Sequence, residues 1–185
     1  NILVAVSDHS GASGDPSPVL TSSDNGTNWD EVTCTWDRCT YHFYNGVTFG
    51  NNTFVAVSDE GGIIRSTDNG SSFDNASPST LCSGGNCLTG LFGVTFGNNT
   101  FVAVGNTGTI IKSTDNGTNW DNVTPSPTSN IFRCCYGVTF GNNTFVGVGH
   151  GGKIVRSTDN GTNWDNMTSG TTEVLHGVVF RNNTF

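Results

Sequence analysis

Asparagines, cysteines and turn aspartates are the residues of this chain whose types and spacing could support chemistry. The asparagines stand in Asn-x-Ser/Thr sequons, which accept N-linked glycans in proteins that pass through a secretory pathway. Turn chemistry alone produces the same pattern, because asparagine suits turns and threonine suits strands. We expect glycans on these side chains and no other cofactor. The eleven sequon asparagines are Asn25, Asn51, Asn69, Asn75, Asn98, Asn116, Asn122, Asn142, Asn160, Asn166 and Asn182.

The six cysteines are an even number, which in an extracellular chain indicates disulfides. The spacing Cys-x4-Cys occurs twice, at Cys34 to Cys39 and at Cys82 to Cys87. A local bridge within each of these pairs is the simplest connectivity. The adjacent residues Cys134 and Cys135 form either a vicinal bridge or bonds to other loops. A zinc site is not expected, because the chain contains no Cys-x2-Cys spacing.

The aspartates lie in a motif, Ser-x-Asp-x-Gly-x-x-Trp/Phe, that occurs four times. A carboxylate at this place can accept backbone N–H groups of its own turn, and the glycine takes the left-handed conformation. The aromatic side chain is expected to fold back and bury a large apolar area. A calcium loop would need a later glutamate, so we expect a structural role and no bound metal. The motif residues are Asp24, Asp68, Asp115 and Asp159, with the aromatics Trp29, Phe73, Trp120 and Trp164.

A sequence repeat carries these motifs. The segment Gly-Val-Thr-Phe begins at Gly46, Gly93 and Gly137 and returns as Gly-Val-Val-Phe at Gly177, so the period is 40 to 47 residues. Gly- and Asn-containing turns separate short runs that favour strands, which predicts four strands per repeat, A to D. Strand B is apolar on both faces, as in a sheet sandwiched between others. The repeat at Gly93 predicts Val94–Phe96, Phe101–Val104, Ile110–Lys112 and a strand starting near Asn119.

We interpret residues 1–185 as one domain of about four such units. The units are 1–45 (without strand A), 46–92, 93–136, 137–176, and 177–185 as the first strand of a closing or following unit. Strand A at Gly177 to Phe180 and strand B at residues 2–6 therefore lack a partner next to them in sequence. Three arrangements stay open: a closed ring of four units that pairs these segments, a longer array, or donation of strand A to another subunit.

The repeated motif resembles the Asp-box (BNR) repeat of sialidase-like β-propellers, over nearly the whole chain. The resemblance implies an all-β, β-propeller-like array of four-stranded blades whose Asp boxes are structural. A sialidase-type site would require three arginines around a carboxylate, a Tyr/Glu nucleophile pair and an acidic Asp. Only Arg38 and Arg133 lie in the variable loops, and neither Arg-Ile-Pro nor Arg-Leu-Pro occurs. We therefore expect no enzyme and rank a sialidase-like glycoside hydrolase third.

Strand parity assigns the turns to two rims. In an up-and-down sheet the A–B and C–D turns share one end, and the B–C turns and D–A loops share the other. Every sequon lies in an A–B turn, in a C–D turn or early in strand D, so glycans would cover one rim and the outer edge. The opposite rim, here called the variable rim, holds the residues that do not repeat, and binding usually resides on such loops. Its chemically capable residues include Tyr44, Asp59, Glu60, Tyr136, His150, Glu173 and His176.

Net charge and the absence of long apolar runs make some classes of partner unfavourable. The net charge of −8 and a pI of about 4.6 disfavour nucleic acid and anionic membranes, and no apolar run approaches the roughly 20 residues of a membrane span. We expect an extracellular or cell-surface location and a non-catalytic, N-glycosylated structural protein, as a subunit of a fibre or surface coat. The alternative is a lectin-like or protein-binding module that uses the variable rim. The expected partners are further copies of the chain or other extracellular glycoproteins.

Overall fold

The computed structural model describes residues 1–7, 19–32, 43–78, 82–83, 86–87, 89–124 and 135–185. The disulfide predictions for Cys34, Cys39 and Cys134 lie outside these residues, as do Arg38 and Arg133. The described part of the chain contains two one-turn 3-10 helices, Asn106–Gly108 and His150–Gly152. The strands are β1 Leu3–Val6, β2 Val19–Ser22, β3 Asp30–Val32, β4 Tyr44–Gly50, β5 Thr53–Ser58, β6 Ile63–Ser66, β7 Asp74–Asn75, β8 Cys82–Ser83, β9 Asn86–Cys87, β10 Leu91–Gly97, β11 Thr100–Gly105, β12 Ile110–Ser113, β13 Asp121–Asn122, β14 Cys135–Gly141, β15 Thr144–Gly149, β16 Ile154–Ser157 and β17 Asp165–Met167.

The strands form successive antiparallel meanders, one for each repeat. Blade 1 is the three-stranded sheet β1-β2-β3, and blades 2, 3 and 4 are the four-stranded sheets β4 to β7, β10 to β13 and β14 to β17. Strands β8 and β9 form a small hairpin between blades 2 and 3. The chain is therefore an all-β array of blades, as the repeat predicts. Among the described residues, no helix is long and apolar enough to cross a membrane.

Paired asparagines make the A–B turns. In blade 3, Asn98 (φ 49°) and Asn99 (φ 56°) both have positive φ, and Gly97 pairs with Thr100 on either side of them. Two positive-φ residues between paired strands define the type I′ turn, whose twist matches that of a β-hairpin. Strand β11, which follows, is buried along its whole length. This burial explains why strand B is apolar on both faces.

Strand A begins two residues before the repeated glycine. The pairing register shifts between Tyr44 and Gly46, between Leu91 and Gly93 and between Cys135 and Gly137. Each shift leaves one extra residue in strand A, which is a β-bulge. The sequence predicted the strand from Val94 onwards and missed the bulge, because the residues before the glycine differ from repeat to repeat.

Neighbouring blades contact each other through the two glycines of strand A. A Cβ on Gly93 would lie 3.1 Å from the Tyr136 carbonyl oxygen and 3.5 Å from the Gly137 Cα of the next blade. A Cβ on Gly97 would fall 2.0 Å from the ring of Phe140. The first glycine thus allows strands A to approach backbone to backbone, and the second receives the phenylalanine of the following blade.

The motif aromatics pack against the preceding blade. Trp120 lies in one cluster with Val55 and Val57 of β5, and it is only 8% exposed. Phe73 and Trp164 are buried in the same way. The prediction of burial is wrong for Trp29, which is 41% exposed. Its indole belongs to blade 1, and no strand among the described residues precedes that blade, so the sheet that covers the other aromatics has no counterpart here.

The last strand A continues the stacking without forming a sheet. Phe180 packs on Gly141 as Phe140 packs on Gly97, and Gly177 lies against Gly137. Within the described residues, strand β1 pairs only with β2, and Gly177 to Phe180 belong to no strand pair. The closed ring that would pair residues 2–6 with this segment is therefore not formed.

Candidate functional site

Each Ser-x-Asp-x-Gly motif folds into a self-contained turn, here called an Asp turn, between strands C and D. In blade 3, the Ser113 hydroxyl donates to Asp115 Oδ1 (2.8 Å) and accepts from the Gly117 N–H (2.9 Å). The Asp115 carboxylate also accepts from the backbone N–H and the side-chain amide of Asn119, at 2.9 and 2.7 Å. The Trp120 indole N–H donates to the Gly117 carbonyl (3.2 Å). Every donor comes from the turn itself, so the carboxylate acts as a structural acceptor.

These hydrogen bonds lower the pKa of the Asp-turn carboxyls. The Asn28 N–H, the Asn28 amide and the Ser22 hydroxyl bring the pKa of Asp24 to about 2. For Asp115, burial opposes ionisation, but the bonds from Asn119 and Ser113 together outweigh it and also lower the pKa. A carboxylate saturated with donors has little capacity to bind a cation. Among the described residues, no cluster of three or more His, Cys, Asp or Glu side chains could hold a metal ion.

Basic residues at the end of strand C connect blades 2 and 3 to the Asp turn of the following blade. The Arg65 guanidinium donates to the Asn116 carbonyl (3.2 Å) and to the Thr118 hydroxyl (2.5 Å) of blade 3. Lys112 makes the equivalent bond to the Thr162 hydroxyl of blade 4 (2.8 Å). The sequence analysis assigned no role to these side chains. Their repetition at one register position was the signal that could have revealed this contact.

The variable rim carries an aromatic row that crosses three repeats. The ring centroids of Phe92 and Tyr136 are 5.5 Å apart, and those of Tyr136 and His176 are 5.2 Å apart, with interplanar angles of 38° and 36°. Phe92 and Tyr136 are the bulge residues of β10 and β14, and His176 holds the same place before Gly177. A bulge re-aims the side chain it carries. In blade 2 the place belongs to Asn45, whose amide donates to the Leu91 carbonyl (3.0 Å). We call Phe92, Tyr136 and His176 the aromatic row.

The B–C turns lie beside the aromatic row. The turn Asn106–Gly108 packs against β14, and its Asn106 N–H donates to the Gly90 carbonyl (2.8 Å), two residues before Phe92. Thr107 in this turn is exposed and has a φ of 54°, which is unfavourable for a β-branched residue. Backbone strain of this kind concentrates at functional sites. His150 occupies the corresponding turn of blade 4 and is exposed.

Two residues near the variable rim belong to the buried core. Tyr44 and Cys135 are buried at the start of strands A, at 3% and 1% exposure, where Leu91 stands in blade 3. Burial raises the pKa of Tyr44 well above its usual range.

Cys82 and Cys87 stand opposite each other in the β8–β9 hairpin. Directly opposed antiparallel residues have a Cα separation of about 4.5–5.5 Å, which suits a disulfide. The predicted Cys82–Cys87 bridge is thus compatible with the backbone.

Comparison with known proteins identifies the fold alone. No protein-family model and no curated protein matches the sequence. Among solved structures, YCF48 from Cyanidioschyzon merolae is 21% identical with a TM-score of 0.60, covering 70% of this chain and 41% of its own. A structure of YCF48 bound to D1 peptide is 20% identical with a TM-score of 0.61, covering 89% of this chain and 51% of its own.

The GH74 xyloglucanase from Xanthomonas campestris is 16% identical with a TM-score of 0.64 and covers 89% of this chain and 28% of its own. Our chain thus spans about half the length of these proteins or less. Their folds support the β-propeller assignment made from the repeat.

Proposed function

We propose that this chain is a non-catalytic, extracellular array of Asp-box (BNR) blades that binds a polypeptide at its variable rim. The aromatic row is the observation that carries the proposal. Three aromatic rings from successive repeats meet at one place, although the loops around them differ in sequence. Tyrosine and phenylalanine are enriched in protein interfaces because they bury large areas, and tyrosine adds a polar group.

The chemistry of the rim favours a peptide with apolar side chains and basic residues. The rings of the row are tilted against one another and are partly or fully exposed, so they can contact apolar groups of a ligand. Glu60 and Glu173 are exposed on B–C and D–A connections near the row, and the chain as a whole carries a net charge of −8. Complementary charge accelerates association and excludes acidic competitors. That YCF48 binds the D1 peptide supports the capacity of this fold to hold a peptide.

A phage-displayed random peptide library panned on the wild-type protein tests the proposal. We expect enriched clones with aromatic and basic residues, whose affinity falls at least about tenfold for Tyr136→Ala. The matched control is Thr118→Ala on the opposite rim, which should bind the clones normally. Failure to enrich clones, or equal binding to Y136A, would contradict the proposal. Binding of wild type, but not Y136A, to an oligosaccharide array would instead support the lectin-like function.

Self-association into a structural assembly is the second candidate. Phe96 and Phe140 pack on the A–B turn glycine of the preceding blade. Phe49 is 51% exposed and lines one groove with Leu3, which is 42% exposed. This apolar surface between blades 1 and 2 fits a strand A for blade 1, and a second copy of the chain could supply that strand. Sedimentation velocity over a concentration series should then show oligomers that Phe49→Ser abolishes. A monomer at the highest soluble concentration would exclude this candidate.

A further inference from the structure

The sequons fall into two structural classes. One class lies in the A–B turns and Asp turns, where two neighbouring blades meet. The other class lies on strand D at the outer edge, at Asn75, Asn122 and Asn166. Sequence alone treats the classes equally, because each contains the same Asn-x-Ser/Thr pattern. Their side-chain contacts distinguish them.

Turn sequons of adjacent blades bond to each other, and the donor uses the side-chain nitrogen to which a glycan would be attached. The Asn51 side-chain amide of blade 2 donates to Asn116 Oδ1 of blade 3 (2.6 Å). The Asn98 amide of blade 3 donates to Asn160 Oδ1 of blade 4 (3.3 Å). An N-linked glycan is attached at Nδ2, so a sugar on the donor, Asn51 or Asn98, would have to occupy the space of this contact.

Two more hydrogen bonds hold the Asn98–Asn160 pair in place. The Asn160 amide nitrogen also donates to the Thr100 hydroxyl (2.7 Å), which in turn donates to the Asn98 carbonyl (3.3 Å). Thr100 is 1% exposed. The hydroxyl that completes the Asn98 sequon is therefore part of a partly buried chain of hydrogen bonds between two blades.

Strand-D sequons present their asparagines differently. Asn75 and Asn122 accept the N–H of the residue two positions later, Ser77 and Thr124, through Oδ1 at 2.9 Å. This bond uses the carbonyl end of the amide and turns the chain at the end of strand D. Asn75, Asn122 and Asn166 are all exposed. Open grooves of about 500 and 590 Å³ border Asn75 and Asn166, so a first sugar has room there.

We propose that Asn75, Asn122 and Asn166 are the glycan-bearing residues, whereas Asn51, Asn98 and Asn160, whose Nδ2 atoms donate across blades, stay unmodified and join neighbouring blades. This inference rests on the extracellular part of the proposed function. It places glycans at the outer edge of blades 2, 3 and 4 and keeps them away from the junctions between these blades.

Intact-glycopeptide mass spectrometry of the protein secreted from a mammalian cell line tests the assignment. We expect glycans on Asn75, Asn122 and Asn166, and unmodified Asn51, Asn98 and Asn160. Predominant occupancy of Asn51, Asn98 or Asn160 in the folded protein would overturn the assignment and leave the extracellular proposal intact. Absence of glycans from all eleven sequons would overturn both.

The contribution of Asn51 to joining two blades can be tested separately, in protein made without glycosylation. Asn51→Gly removes the inter-blade bond, and Asn52→Gly is the matched control in the same turn, because both positions have positive φ and are exposed. Glycine accepts that conformation readily. We expect N51G to unfold about 2–4 °C below N52G. Equal unfolding temperatures would refute the joining role even if the glycan pattern were as expected.

Discussion

The Asp turns of blade 1 and blade 3 have the same local geometry and different surroundings. In blade 1 the Ser22 hydroxyl donates to Asp24 at 2.8 Å and accepts from the Gly26 N–H at 2.9 Å, and Asn28 donates to Asp24 at 2.9 and 2.7 Å. Each distance equals its counterpart in blade 3. The aromatic residue that follows is 41% exposed in blade 1 and 8% exposed in blade 3.

This comparison separates two levels of structure. The turn forms from the short-range hydrogen-bonding capacity of its own residues, wherever it stands in the chain. Burial of the aromatic needs a neighbouring sheet, since Trp120 packs on residues of blade 2. Stability of the array should therefore depend more on contacts between blades than on the turns, and variants at matched positions can test this.

The largest difference should come from the tryptophans. Trp120→Ala should lower the free energy of unfolding by about 3–5 kcal/mol, because it leaves a cavity between two sheets. Trp29→Ala should cost no more than about 1–2 kcal/mol, since much of its surface is already in water. Chemical denaturation followed by circular dichroism measures both values. Similar losses in the two variants would mean that Trp29 also packs against a sheet.

Glycine in the A–B turn should give the next largest effect. Gly97→Ala would place a Cβ 2.0 Å from the Phe140 ring, which forces the next blade to move and should cost about 1–3 kcal/mol. Gly177→Ala is the matched control, because no atom would lie within 4 Å of its Cβ. Thermal unfolding should distinguish the two variants. A neutral G97A would contradict the stacking of Phe140 on this glycine.

The serines of the two Asp turns should differ less. Ser113→Ala leaves the buried Gly117 N–H without its acceptor, at a cost of about 1–3 kcal/mol. The equivalent Gly26 N–H is only partly buried, so water can replace the hydroxyl in Ser22→Ala and the loss should be smaller. Denaturant titrations of the two variants compare these costs. A larger loss for S22A would show that the turn of blade 1 is less accessible to water than we describe.

The smallest effect, and one shared by Asp turns of several blades, should be the response to acid. The pKa of Asp24, Asp68 and Asp159 is lowered from 3.8 to about 2 in the folded chain. A depressed pKa stabilises the fold above pH 4, and this contribution is lost as the pH falls from about 4 to about 2. Because these carboxylates are exposed, the fall in unfolding temperature should be modest. Asp24→Asn and Asp159→Asn should reduce its pH dependence equally, and unequal slopes would contradict a purely local origin.

Sequence reasoning reached part of the candidate site. Strand parity placed Tyr136, His150 and His176 on one rim, because the ends of an up-and-down sheet follow from counting strands. It did not predict that Phe92, Tyr136 and His176 would stack. The stacking depends on the bulge before each repeated glycine and on the spacing between blades, and no short sequence motif specifies either of these. The one sign in the sequence was that a residue with a ring side chain precedes Gly93, Gly137 and Gly177.

What the sequence determined by itself is the blade. The four Asp turns, the Asn-Asn hairpins and the order of strands A to D all arise from interactions within about ten residues, so their residue patterns are sufficient to specify them. The tertiary structure alone decided which of the four equivalent aromatics are buried and which sequons bond across blades. It also decided that Arg65 and Lys112 hold the next Asp turn. These features depend on the distance and angle between neighbouring sheets, and residues 46 to 65 positions apart in the chain contribute to them. The residue pattern of one repeat contains no information about the position of a neighbouring sheet.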